Sequence, residues 1–152
     1  MKQKCAVDTT VLLKVILEGD IVLLEKLANY MLFLPANVLE EASFKIIISS
    51  ILDTLQSNTH NFYQIKRAFE QGKGESLISR RLSMLNSLKN KMIILDITDT
   101  IFDSSKELLK RFHLFPNDAL IVATCKQFGI PKIATFDADF KRIDFLEVFA
   151  PE

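Results

Sequence analysis

The sequence predicts an α/β fold: a three-layer α/β/α sandwich with a short, mainly parallel central sheet of about five strands. Apolar runs of strand length alternate with helical segments along the chain, and parallel strands require such helical crossovers. Four of these runs also end in, or lead into, a carboxylate: Cys5-Ala-Val-Asp8, Leu32-Phe-Leu-Pro35 before Glu40 and Glu41, Phe115-Pro-Asn-Asp118, and Ile133-Ala-Thr-Phe-Asp137. In a parallel sheet the carboxyl ends of the strands share one edge with the first turns of the following helices, so distant acids can converge there.

Residues 4–7 form the first strand, and the apolar spacing after Asp8 predicts a helix that stops at Gly19. Asp20 is expected to cap a short second helix running to about Asn29, and Met31 to Leu34 to form the second strand. Pro35 ends that strand and opens a longer helix. From Asn37 to about Leu55 apolar residues recur too densely for a narrow stripe, which predicts a central, mostly buried helix. Asn37 and Glu40 have capping-box spacing at its start. The more polar segment 57–90 breaks at Gln71-Gly-Lys-Gly74 and predicts two antiparallel surface helices, a hairpin beside the core. Met92 to Leu95 is the third strand. Thr98 to about His113 is a helix with Ile101, Leu108, Leu109 and Phe112 facing inward, and Pro116 starts another that Gly129 ends. Lys132 to Thr135 and Glu147 to Phe149 complete the strands, on either side of a turn-rich piece from Ala138 to Asp144.

With 152 residues and 49% apolar content, residues 1–152 are expected to form one domain that buries a core without disulfides. Nineteen basic and nineteen acidic residues cancel, so no global field points to nucleic acid or a membrane surface. Cys5 and Cys125 lie in predicted core elements and read as packing residues in a reducing compartment. The strand follows Met1-Lys-Gln-Lys directly, which leaves no room for a signal peptide and predicts a cytoplasmic protein. The longest uncharged stretch, Leu27 to Leu39, is too short to cross a bilayer of about 30 Å, so no membrane role is expected. Phosphate-binding glycine loops and a serine-hydrolase elbow are missing from the sequence.

Each acid has an ordinary use beside a chemical one. Asp8 ends a strand beside Thr9 and Thr10, whose hydroxyls could bind metal-associated water, and Asp is also a standard N-cap. Glu40 has capping work to do, whereas Glu41 lies one turn after Asn37 and can point back toward the helix start, so Glu41 is preferred and Glu40 is the fallback. Asp118 sits in the first turn of a helix that is apolar on every face, where the dipole favours an anion. Asp137 stands nearest the end of its strand, with the Thr135 hydroxyl close by; Asp139 is readily explained as turn chemistry and ranks below it. Convergent carboxylates repel one another unless a cation neutralises them, and hard divalent cations favour such oxygens.

Taken together, Val7-Asp8-Thr9, Pro35-Ala-Asn-Val-Leu-Glu-Glu-Ala42, Asn117-Asp-Ala-Leu-Ile-Val-Ala123 and Ile133-Ala-Thr-Phe-Asp-Ala-Asp-Phe140 resemble, in order and spacing, the PIN-domain family and its small VapC-type toxin ribonucleases. The resemblance covers nearly the whole chain. It implies a metal-dependent endoribonuclease that binds Mg²⁺ or Mn²⁺ through an acidic cluster of Asp8, Glu41, Asp118 and Asp137. Thr9 and Thr135 match polar positions beside that cluster, and Asn117 is a further candidate site residue. The resemblance also implies an RNA substrate, a homodimer and a cognate antitoxin. The Asp8-Thr9-Thr10 start departs from the frequent Asp-Thr/Ser-Asn form, and the 57–90 hairpin is the least family-like part.

Cations for an RNA backbone are sought between Lys66 and Lys91, where Lys66, Arg67, Lys73, Arg80, Arg81, Lys89 and Lys91 outnumber Glu70 and Glu75 by five. A solvated helical face is the plainer explanation of that excess. Two other functional readings compete. One is a PIN-like RNA- or protein-binding module whose acids only cap and turn. The other is a haloacid-dehalogenase-type phosphotransferase, which is disfavoured because it needs Asp-x-Asp where this chain has Asp8-Thr9-Thr10.

Overall fold

The chain alternates strands and helices from its first residues, as the apolar runs require. A computed structural model describes residues 1–56 and 59–152. Strand β1 (Lys4–Val7) leads into α1 (Thr9–Glu18) and α2 (Val22–Leu27); β2 (Met31–Pro35) leads into α3 (Ala36–Leu55), α4 (Phe62–Glu70) and α5 (Glu75–Lys89). Then come β3 (Ile93–Leu95), α6 (Asp99–Phe112), α7 (Pro116–Gln127), β4 (Lys132–Ala134), a short 3-10 helix (Ala138–Arg142) and β5 (Glu147–Phe149).

The strands form one sheet in the order β3-β2-β1-β4-β5, with every neighbouring pair parallel. Right-handed crossovers then put α1 to α5, which connect strands running outward from β1 to β3, on one face of the sheet. They put α6 and α7, on the return path to β4, on the other. The sheet is covered on both faces, and Cys5, Ala6, Val7, Leu34, Ile133 and Ala134 at its centre are fully buried. Helix α7 is sealed in as its composition predicts, with Ala119 and Ile121 to Cys125 all buried. A buried side chain such as Ile121 contributes about 1.5–3 kcal/mol through removal from water. Both cysteines are free and buried, and burial pushes their thiols up to about 12, which suits packing residues. Among the described residues no helix is long and apolar enough to cross a membrane.

Three local expectations change. Helix α2 is capped at Ile21 and not at Asp20: Gly19, at φ 72, ends α1, and the Ile21 N–H turns back to the Gly19 carbonyl at 2.9 Å, which leaves Asp20 inside the turn. Helix α3 starts at Ala36 with Pro35 as its cap, so Asn37 already lies within the first turn and the Asn37/Glu40 capping box does not form. A capping box does form on α4, where Asn61 and Gln64 exchange side chain to backbone bonds of 3.0 and 2.8 Å. Helix α3 is also less enclosed than its composition suggests. Val38, Ala42, Ile46, Ser50 and Ile51 are buried, while Phe44 is 48% exposed.

The predicted hairpin is helical on either side of the 71–74 turn, and Ser57 and Asn58 at its start lie outside the described residues. Helices α4 and α5 each lie against α3, and α5 also reaches α1. Ile51, Ile65, Ala68 and Ile78 make a small second core there. Arg81 fastens α5 to α3, donating to Asp53 Oδ2 at 2.8 Å and Ser50 Oγ at 2.9 Å.

Candidate metal centre

The strand order reverses at β1. The chain runs outward through β2 and β3, then returns to place β4 on the other side of β1, and the crevice beyond the carboxyl ends of β1 and β4 is where open α/β sheets bind ligands. Asp8 follows β1 directly, and Thr135, Asp137 and Asp139 follow β4. Helix α3 brings Glu41 and the start of α7 brings Asp118.

Asp8 is only 3% exposed and stands at the N-cap position of α1, but its side chain makes no capping bond. Its Oδ2 instead accepts from Thr135 Oγ1 at 2.7 Å and Thr10 Oγ1 at 2.9 Å. The same two hydroxyls accept from the loop after β4: Thr135 Oγ1 takes the Asp137 N–H at 2.9 Å and Thr10 Oγ1 takes the Phe136 N–H at 3.0 Å. One carboxylate and two threonines thus lock the β1 and β4 ends together. Burial raises the Asp8 carboxyl above its ordinary value; the Thr135 and Thr10 bonds and the Thr9 backbone N–H oppose that rise, and Glu41 adds to it.

Glu41 is held from three sides. Its Oε2 accepts from Thr9 Oγ1 at 2.9 Å and from Asn117 Nδ2, and its Oε1 pairs with Lys45 Nζ at 2.7 Å. Asn37, freed from capping, donates to the Asn117 carbonyl at 3.1 Å and to Asn117 Oδ1 at 2.8 Å, which orients the Asn117 amide toward Glu41. The acid chosen in the sequence is therefore brought to the site, while Glu40 is exposed.

Asp118 is the group with most to gain from a cation. Its carboxyl is pushed up to about 6, first by burial and then by the charges of Asp8, Asp137, Glu41 and Asp139. Carboxylate oxygens of Asp118, Asp137 and Asp139 lie within 4.8 Å of one another. Asp137 also caps the 3-10 helix, its Oδ1 accepting the Asp139 N–H at 2.9 Å, and Asp139 takes a 3.1 Å bond from Arg142 Nη1. An all-oxygen set of this kind suits Mg²⁺ or Mn²⁺.

A PIN-domain profile matches residues 5–146. The chain belongs to the PIN-domain family. Ribonuclease VapC2 of Methanocaldococcus jannaschii is 42% identical over 105 residues, covering 68% of this chain and 67% of that protein. Ribonuclease VapC6 of the same organism is 34% identical over 131 residues, 83% of this chain and 82% of its own. Among solved structures, a chain of VapBC2 from Rickettsia felis bound to a DNA fragment from their promoter superposes with a TM-score of 0.64 at 18% identity, covering 97% of this chain and 98% of that one. This last likeness shows that the fold is a PIN fold.

Of the predicted site residues, the structure brings Asp8, Glu41, Asp118 and Asp137 to one edge, with Thr9, Asn117 and Thr135 bonded to them. Asp139, ranked behind Asp137 for its turn chemistry, does both jobs: it sits in the turn and in the closest trio of acids, a trio that Asp8 and Glu41 do not join. Thr9 and Thr135 spend their hydroxyls on carboxylates. Two contributors were not singled out. Lys45 has a sequence signal, because it stands four residues after Glu41 on one helix. The link from Asn37 to Asn117 has none, since the two are 80 residues apart. The basic segment is placed differently from the acids: Arg81 meets α3 at Ser50, nine residues and about 14 Å along the helix from Glu41. Lys66 pairs with Glu70 at 3.6 Å, and Arg67, Lys73 and Arg80 are exposed.

Proposed function

We propose that this chain is a divalent-metal-dependent endoribonuclease that hydrolyses RNA phosphodiester bonds. The observation that carries this is the position of Asp118 at the mouth of a buried helix, its carboxyl raised by burial and then by four other acids, and its oxygens close to those of Asp137 and Asp139. Two relatives named as ribonucleases, each more than 30% identical over two thirds or more of this chain, support the reaction class.

Asp118 and Asp137, with Asp8 and Glu41 behind them and Asp139 beside them, would hold Mg²⁺ or Mn²⁺. A bound divalent ion lowers the pKa of its water and neutralises charge on the phosphate. The rest is the work of the chain. Thr135 and Thr10 donate to Asp8 and so favour its charged form against the effect of burial, and Thr9, Asn117 and Lys45 fix the Glu41 carboxylate. This hydrogen bonding holds repelling acids in place before any substrate arrives. The exposed Lys66, Arg67, Lys73 and Arg80 can draw a polyanion toward the protein at long range, but Arg81 is committed to α3.

A cytoplasmic homodimer restrained by a cognate antitoxin is the setting that fits the family and the VapBC structures. The test is cleavage of end-labelled single-stranded RNA with Mn²⁺, with Mg²⁺ and with chelator. The expected result is metal-dependent cleavage, lost in Asp118→Asn. Cleavage that persists in chelator would overturn the metal dependence, and none with either metal on any RNA tried would favour the binding module.

A further inference from the structure

Beside the acidic edge, α1 and the loop after β4 enclose a groove of about 420 Å³ lined by Thr10, Leu13, Lys14, Leu17, Glu18 and Phe136. Its size is that of a small-ligand site. Phe136 lies between Thr135, which bonds Asp8, and Asp137, and its backbone N–H is fixed to Thr10 Oγ1 at 3.0 Å. The aromatic ring is therefore held one residue from the acidic cluster. Lys14, one helical turn beyond Thr10, places Nζ 4.5 Å from the centre of that ring, and among the described residues its ammonium makes no hydrogen bond or ion pair. An aromatic face joined to an uncommitted cation is the combination that binds single-stranded nucleic acid: the ring takes a base and the ammonium a phosphate.

We propose that this groove is a nucleotide subsite, in which the base next to the scissile phosphate of a single-stranded RNA stacks on Phe136 and its phosphate is met by Lys14. The proposal rests on the ribonuclease reading and adds where the substrate lies. On entry the base takes the ring face that Lys14 covers, and the flexible lysine stem swings outward to the phosphate, exchanging a half-buried cation–π contact for a charge pair. Leu13 and Leu17 supply the apolar wall. Stacking reads a π-face and not a hydrogen-bond pattern, so the subsite tolerates any base and favours an unpaired strand.

The test uses Phe136→Leu, which keeps apolar volume, Phe136→Trp, which keeps the π-face, and Lys14→Met, which keeps the stem. Each is read against an RNA carrying 2-aminopurine, whose fluorescence falls on stacking, and against the same RNA with an abasic ribose next to the scissile phosphate, which has no ring to stack. Phe136→Leu is expected to raise the KM for the full RNA about tenfold, to lower the ratio of full to abasic RNA turnover by a similar factor, and to abolish the quench; Phe136→Trp keeps all three near the wild-type values. Lys14→Met is expected to reduce the slope of log affinity against log salt by about 0.7.

Equal KM values for the leucine and tryptophan variants, or RNA that binds without a quench, would overturn the subsite while leaving the nuclease reading intact. If the wild type cleaves neither substrate, the nuclease reading fails, and the quench measured in chelator still decides the subsite on its own.

Discussion

Replacing Asp118 by Asn should make the metal-free protein more stable while removing its response to metal. A carboxyl that titrates at about 6 in the fold instead of 3.8 holds its proton more tightly in the native state than in the unfolded chain. Between those two values the native state carries the extra proton, so stability falls as pH rises through that window, and the deficit is complete above about pH 6. The full shift corresponds to about 3 kcal/mol, and partial solvation of the group brings the expected penalty to about 1–2 kcal/mol. In a chain of this size that is a melting temperature higher by about 2–8 °C for Asp118→Asn at pH 7.5 in chelator, with the gap narrowing toward pH 4.5. Saturating Mn²⁺ should reverse the order, since a ligand at a hundred times its Kd stabilises the wild type by about 2.7 kcal/mol and the variant lacks a donor. Thermal melts followed by circular dichroism across pH 4.5–8, with and without Mn²⁺, read all of this. A variant no more stable than the wild type at pH 7.5, or a gap that does not narrow on acidification, would refute the reasoning.

Three further outcomes follow from single contacts. Thr135→Val removes the hydroxyl that donates to Asp8 and accepts from Asp137, and should cost about 1–3 kcal/mol in urea unfolding and weaken Mn²⁺ binding in calorimetry; unchanged affinity would mean Thr135 positions nothing. Arg81→Ala should lower stability by about 1 kcal/mol and leave Mn²⁺ affinity alone, because the residue ties α5 to α3 far from the acids. Gly74→Ala should destabilise by about 1–2 kcal/mol in the same urea assay, since Gly74 sits at φ +73 and an added Cβ would lie 2.9 Å from Thr54 Oγ1.

Much of this architecture is legible in the residues. Strands of three to five residues with an acid at or after the end, and Gly19 and Gly129 closing helices in the left-handed region, give the parallel sheet and the edge where Asp8, Asp118 and Asp137 meet. What the sequence misreads is competition over one or two residues. Pro35 takes the cap position that Asn37 was expected to fill, and Gly19 turns the chain before Asp20 can cap α2. The place of Asp139 beside Asp118 is hidden for another reason: a turn acid and an acid of the cluster look identical until the loop after β4 is seen next to the start of α7. The burial of α3 is overestimated because its composition reports apolar content on every side, and part of one side, at Phe44, faces solvent. The fate of Arg81 is equally invisible, since its partners Ser50 and Asp53 lie about thirty residues away on another helix.

The central claim is that acids from four separate segments form one metal centre at the β1–β4 switch point. The measurement that tests it most directly is calorimetric titration of Mn²⁺ into wild type, Asp118→Asn and Asp137→Asn. Saturable binding by the wild type that both substitutions weaken by at least tenfold is the predicted result. Binding that neither changes, or no saturable binding by the wild type, would contradict it.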